Sequence, residues 1–289
     1  MGRVSAYSRR TRLANLASWQ ARLVLSVFAM AIVWGAICCE KSSRPELAAS
    51  RINRGDIKLY DSIVRRVHAG EDYYEVVGSE LRARNYARRP FFNWRLPALA
   101  LFLGKLPTPE IGKWTLVALA LVTLAIWLLI LSQEQGFHVT LFGGWILLGT
   151  LVSCFAGQAF LFHELWAGVL IALSIGIHGH NRVLSVASGL LALAVRELSL
   201  PFAVVMLIMA CKDKRRREAI AWLLGIIIFL LYLAMHAKTV SGLLIASDRA
   251  NDTWLQLGGW SFVLTTTKWT LLTLDFPYPS GASETDLIV

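Results

Sequence analysis

The sequence predicts an all-α polytopic membrane protein: about eight transmembrane helices and one extracytoplasmic loop that carries amphipathic surface helices. Three observations predict this class. Hydrophobic residues make up 56 % of the 289 residues and charged residues 17 %, with a mean hydropathy of +0.54; a soluble domain is about half apolar and about a quarter charged. Apolar runs of about twenty residues recur along the chain, each long enough to cross a hydrocarbon core of about 30 Å. Trp94, Trp114, Trp145, Trp166, Trp222 and Trp260 fall near the ends of these runs, where indole prefers the headgroup level.

Taken in order, residues 1–22 form a basic tail with Arg3, Arg9, Arg10, Arg12 and Arg22, and no acid precedes Glu40. By the positive-inside rule this tail is cytoplasmic. Residues 23–39 read as an uncleaved signal anchor, because no small-residue exit motif follows them. Residues 40–95 are then an extracytoplasmic loop, and residues 91–276 a transmembrane bundle. The bundle opens with a short apolar segment over 91–106, continues with spans near 114–132, 141–158, 164–180, 183–211 and 219–237, and closes with a weaker one near 261–276. Counting the short segment as a crossing places the basic cluster Lys212, Lys214, Arg215, Arg216 and Arg217 in the cytoplasm. It also places His163-Glu164 at the cytoplasmic end of a span, and the 178–182 connection on the same side as the long loop. Residues 277–289 are an irregular tail, polar and Pro-rich, and read as a shortened C-terminal end.

Composition excludes some partners. The net charge of +10 resides in loops and tails, with no basic face on a nucleic-acid-binding pattern, so no nucleic acid is expected. Cys38, Cys39, Cys154 and Cys211 lie in or beside apolar runs without metal-ligand spacing and read as small hydrophobes. His178 and His180 form an H-x-H with no third ligand in sight and read as solvated.

The long loop concentrates the chemistry. Ile57, Tyr60, Val64 and Val67, then Tyr74, Val77 and Leu81, recur at helical spacing on either side of Gly70 and predict two amphipathic helices. Asp56 follows Gly55 at the expected start of the first. There it reads as a helix N-cap, held ionised by free N–H groups and the helix dipole, which also suits a general base or a ligand for a divalent metal ion. Asp61 lies five residues on, as a possible second acid or a surface charge. Arg88-Arg89-Pro90-Phe91-Phe92-Asn93-Trp94-Arg95-Leu96-Pro97 returns the chain to the membrane, with guanidinium groups suited to a phosphate. Arg196 and Glu197 fall near the middle of the 183–211 run. Charges at bilayer depth cost about 2.5–3.5 kcal/mol each on insertion scales, so they read as facing a polar cavity. No Walker, G-x-S-x-G or H-E-x-x-H motif occurs, so a transferase donor would be lipid-linked rather than a nucleotide.

This order of features resembles the glycosyltransferase clan C of polytopic membrane enzymes, which includes aminoarabinose transferases and protein mannosyltransferases. Asp56 matches the loop acid, Tyr60 the tyrosine one turn later, Gly70-Glu71-Asp72-Tyr73 the later turn, and Arg95-Leu96-Pro97 the basic-Pro return. The match covers roughly residues 20–130 in order and spacing, and the remaining spans in hydropathy only; Ile57 stands where a paired acid is expected. The resemblance implies an inner-membrane, multi-pass glycosyltransferase with a polyprenyl-phosphate sugar as donor, an acceptor hydroxyl, and lipids as partners. In such an enzyme Asp56 would be catalytic and Tyr60 and Arg95 would bind substrate; the loop and mid-run charges read above add Asp61, Arg89, Arg196 and Glu197 as substrate-binding residues. The cofactor stays open between none and a divalent metal ion. Two other readings stand beside it: a transporter or flippase for an anionic lipid-linked substrate, resting on Arg196 and Glu197, and a non-catalytic truncated fragment.

Overall fold

The structure is a computed structural model that describes Trp19, residues 46–134 and residues 137–250. The expected tail 1–22, signal anchor 23–39, last span 261–276, tail 277–289 and Trp260 lie outside the described residues, Trp19 apart. The compact unit described below is Asn53–Asp252.

Nine α-helices and no strand occur among the described residues: α1 Glu46–His68, α2 Tyr73–Ala83, α3 Pro97–Gly104, α4 Ile111–Glu134, α5 Phe137–Leu151, α6 His163–Ile177, α7 Arg182–Val195, α8 Leu200–Lys212 and α9 Arg216–Leu243. Short 3-10 turns over 91–93, 152–155, 159–161 and 197–199 join several of them.

Gly70, at φ +95°, supplies the left-handed turn between α1 and α2 that a side chain would resist. Asp72 then caps α2, accepting from the backbone N–H of Tyr74 and Glu75. The apolar stripes of both helices pack into one core: Val64, Val77 and Leu81 are buried, and Ile57, Tyr60, Val67 and Tyr74 pack against it.

Two helices are long and apolar enough to cross a membrane, over Ile111–Gln133 and Arg216–Leu243, and only 17 % of each window is buried by the rest of the protein. A core helix of a soluble protein would bury its apolar residues; here Leu129, Phe142, Trp145, Ile228, Leu231 and Met235 are all more than half exposed. Helices α6 to α8 are shorter, at 13 to 15 residues, or about 20 Å. They pack through small and hydroxylic residues. Ser174 Oγ donates to the Ser185 carbonyl at 2.7 Å, Ser185 Oγ returns a bond to the Ser174 carbonyl at 2.8 Å, and Ser188 Oγ donates to the Leu170 carbonyl at 2.8 Å.

Two expectations fail on tertiary grounds. The 91–106 segment holds an eight-residue helix whose two ends both lie on α1: Arg95, just before it, bonds Tyr60, and the carbonyl of Gly104 at its end bonds His68 Nδ1 at 2.9 Å. At eight residues it is about 12 Å long, well short of a hydrocarbon core, and its end packs against Val67 and His68 of α1. The 183–211 run is not one span. It breaks at Arg196–Ser199, and α8 folds back beside α7, so that Phe202 and Trp222 close on Gly189. Arg196 and Glu197 therefore sit at the tip of a helical hairpin, not midway along a helix.

The described residues form two polar faces. One, the loop face, gathers α1, α2, the N-terminus of α6, the 196–199 tip and the C-terminal end of α9. The other gathers His178, Arg182 and the 212–218 cluster, where Arg215 Nη1 bonds both His178 Nε2 at 2.6 Å and Glu218 Oε2 at 2.7 Å. His163-Glu164 thus belongs to the loop face and the 178–182 connection to the opposite one, reversing both expectations. The basic cluster still lies at the end opposite the loop face, because the short α3 does not traverse the bundle whereas the 183–211 run traverses it twice. His178 is partly buried and bonded rather than solvated. Trp94, Trp166 and Trp222 are buried rather than interfacial, whereas Trp114 and Trp145 are exposed. The indoles of Trp94 and Trp166 donate to the carbonyls of Arg88 and Phe160. Cys154 is buried and Cys211 exposed.

Candidate functional site

Asp56 does not cap a helix. Helix α1 runs through it from Glu46, so its carboxylate has no free N–H groups to meet. It meets Tyr86 instead, whose hydroxyl donates to Asp56 Oδ1 at 2.7 Å. This bond explains Gly55 inside a helix, where glycine is costly. A Cβ at residue 55 would stand 2.8 Å from the Tyr86 hydroxyl. Burial pushes the Asp56 carboxyl above its ordinary value, against the Tyr86 bond and the Arg95 charge, which lower it. The expectation of an acid held ionised by a helix dipole is therefore overturned: desolvation dominates. Tyr86 is pushed up in turn, by burial and then by donating to Asp56.

One turn along the same face, the Tyr60 hydroxyl accepts from Arg95 Nε at 3.1 Å. The Tyr60 ring meets the edges of Phe162 and His163, with centroids 6.2 and 5.6 Å apart. The Tyr73 hydroxyl donates to the Arg95 carbonyl at 2.6 Å and pins the return loop from beneath. Arg95 Nη2 reaches Glu164 Oε1 at 3.2 Å, and Arg196 Nη1 bonds the same oxygen. So α1, the return loop, the start of α6 and the hairpin tip meet around one carboxylate. Glu197 adds its charge nearby, acting on Arg95.

The structure thus brings together Asp56, Tyr60, Arg95, Arg196 and, through its field, Glu197. It takes Asp61 and Arg89 elsewhere. Asp61 accepts from Arg65 Nε at 2.9 Å, one turn on along an exposed face of α1. Arg89 Nη2 donates to the Ile245 carbonyl at 3.2 Å, and its backbone pairs with Ala250. The reason is Asp248, whose side chain has no solvent contact. It holds Arg88 Nε at 2.7 Å and Arg82 Nε at 3.2 Å and accepts from the backbone N–H of Ile245. That latch carries the neighbouring Arg89 toward the 245–250 segment. Burial alone would raise the Asp248 carboxyl, but the Arg82 bond, the Ile245 N–H and the Arg82 and Arg88 charges hold it below its ordinary value.

Glu164 and Tyr86 were not among the expected site residues. Glu164 had a signal, an acid at the head of an apolar run, but its partners come from 32 and 69 residues away. Tyr86 had none beyond its type.

A divalent metal ion does not fit this cluster. Asp56 has a hydrogen-bond donor and a guanidinium for neighbours rather than further oxygen ligands, and among the described residues no three His, Cys, Asp or Glu side chains gather to hold one. No protein-family model, curated protein or solved structure matches the chain.

Proposed function

We propose that the chain is a multi-pass inner-membrane glycosyltransferase that moves a sugar from a polyprenyl phosphate to an acceptor hydroxyl, with its N-terminus cytoplasmic and α1 and α2 outside. The observation that carries this reading is the placing of the Asp56 carboxylate, held by Tyr86, one helical turn before Tyr60, which holds the Arg95 guanidinium, at the polar end of an apolar, outward-greasy bundle. In the reaction Asp56 takes the proton from the acceptor hydroxyl. That oxygen attacks the anomeric carbon from the face opposite the phosphate, and the carbon–oxygen bond to phosphate breaks with its electron pair leaving on the phosphate. Inversion follows. Arg95 stabilises the charge growing on that phosphate, which in such reactions is usually the largest single contribution. A raised carboxyl suits the task, because a base works best when its affinity for the proton approaches the working pH. Tyr86 orients Asp56, and Tyr60 orients Arg95.

The transporter reading loses its motive, because Arg196 and Glu197 stand at a hairpin tip rather than at mid-helix. The test is sugar transfer by the full chain reconstituted in liposomes with a polyprenyl-phosphate sugar. Asp56→Asn is expected to lower turnover by about 100-fold or more. Full turnover in that variant rejects the role given to Asp56, and absence of transfer by the wild type with every donor sugar rejects the enzyme.

A further inference from the structure

Glu164 occupies an unusual position. It stands in the first turn of α6, whose preceding residue, Phe162, offers no side-chain cap. It is the acidic residue of that first turn, so it serves as the anion at this helix N-terminus, where unpaired N–H groups and the dipole favour negative charge. Arg95 and Arg196 both bond it, and both bonds end on the same oxygen, Oε1. A carboxylate has two oxygens and can satisfy one guanidinium fork; two forks aimed at it are left without their matching pairs. A phosphate presents three or more oxygens and can take both. Beside it, His163 is buried, and neither ring nitrogen completes a hydrogen bond, although the Leu96 backbone lies close. The site is also reachable: the Glu164 side chain is 42 % exposed, while Arg196 behind it is 16 % exposed.

We propose that Arg95, Arg196 and the N-terminus of α6 form a phosphate-monoester site, and that Glu164 is a resident anion which an incoming phosphate displaces. Arg196 then stands where Arg89 was expected as the second arm on the phosphate. The inference takes its ligand, the polyprenyl phosphate monoester left after transfer, from the transferase reading but needs no turnover. Displacement makes binding a competition. In the empty site the carboxylate offsets part of the charge of the two cations, and it returns as the phosphate leaves, which favours product release.

The test uses the full chain in detergent micelles at low ionic strength, titrated with inorganic phosphate by calorimetry. Glu164→Gln keeps the shape and an acceptor oxygen but removes the competing charge, and is expected to bind phosphate about tenfold tighter than wild type. Arg196→Gln is expected to bind about tenfold weaker. Arg65→Gln, on the exposed face of α1, leaves binding unchanged. Wild-type affinity in Glu164→Gln overturns the proposal. If Arg196→Gln does not fold, Arg196→Lys keeps the charge without the fork; weaker binding is expected, and unchanged binding overturns the proposal. Farnesyl phosphate, with farnesol as control, separates the sources of the ligand: tighter binding than inorganic phosphate assigns a lipid-borne phosphate, and equal binding a free one. Phosphate binding that responds to Glu164→Gln without any sugar transfer sinks the enzyme and leaves the site. Transfer with no such response does the reverse.

Discussion

Gly55→Ala is the sharpest probe of the Asp56–Tyr86 pair. Inside an exposed helix this change stabilises by about 1 kcal/mol. Here the new Cβ would stand 2.8 Å from the Tyr86 hydroxyl oxygen, which must move off Asp56. A hydrogen bond to a charged group contributes about 1.5–3 kcal/mol. The net expectation is a loss of about 0.5–2 kcal/mol where helix propensity alone gives a gain. Tyr86→Phe alone removes the same bond and costs about 1.5–3 kcal/mol. In that background the clash is gone, because the next ring atom, Cζ, lies 4.0 Å from the Cβ, an ordinary contact. Gly55→Ala then recovers its gain of about 1 kcal/mol, and the double variant loses about 0.5–2 kcal/mol. The coupling energy is about −1.5 to −3 kcal/mol, well beyond the additivity expected of unlinked sites. The assay is equilibrium unfolding of the purified chain in mixed micelles, followed by far-ultraviolet circular dichroism. A Gly55→Ala protein more stable than wild type would mean that the Tyr86 hydroxyl is not on the Asp56 carboxylate.

Other outcomes follow from the same geometry. Asp248→Asn leaves the buried Arg88 and the partly exposed Arg82 facing an uncharged amide; with Arg82 open to solvent the expected cost is about 2–3 kcal/mol, read by the same unfolding assay. Its pH dependence has a defined sign: the native carboxyl lies below its ordinary 3.8, so the stabilisation is complete above that pH and is lost as the pH falls further. Acid titration should therefore bring Asp248→Asn and wild type together below pH 3.8 and separate them above it. Asp56 acts in the opposite sense. Its native value lies above 3.8, so its ionisation removes stability as the pH rises beyond that point, and Asp56→Asn should flatten that part of the profile. Gly189→Ala places a Cβ 2.4 Å from the Trp222 ring and 2.9 Å from that of Phe202, and should destabilise by about 1–3 kcal/mol; a neutral result would separate α8 from α7 and restore a single long span.

Local pattern decided which residues would be helical. The apolar runs near 114–132, 164–180 and 219–237 correspond to α4, α6 and α9, because propensity and hydropathy act over neighbouring residues. The Gly70 break between α1 and α2 was legible too, since a left-handed turn asks for that residue. Asp56, Tyr60 and Arg95 could be singled out as polar groups beside a membrane edge, but not the bonds that join them. A 3.6-residue period reads the same in one helix of 29 residues as in two short arms, so only the approach of Phe202 and Trp222 to Gly189 decided that Arg196 and Glu197 form a tip. Nor could spacing show that the end of the 91–106 segment packs against α1; the His68–Gly104 bond is a tertiary contact. Arg88 and Arg89 are adjacent and chemically alike, yet the fold buries Arg88 on Asp248 from 160 positions away and draws Arg89 toward Ile245. Helix formation is settled within a few turns of chain. The company a charge keeps is settled by which distant segments bring a counter-charge to where it is shielded from water, and that is a property of the packed molecule.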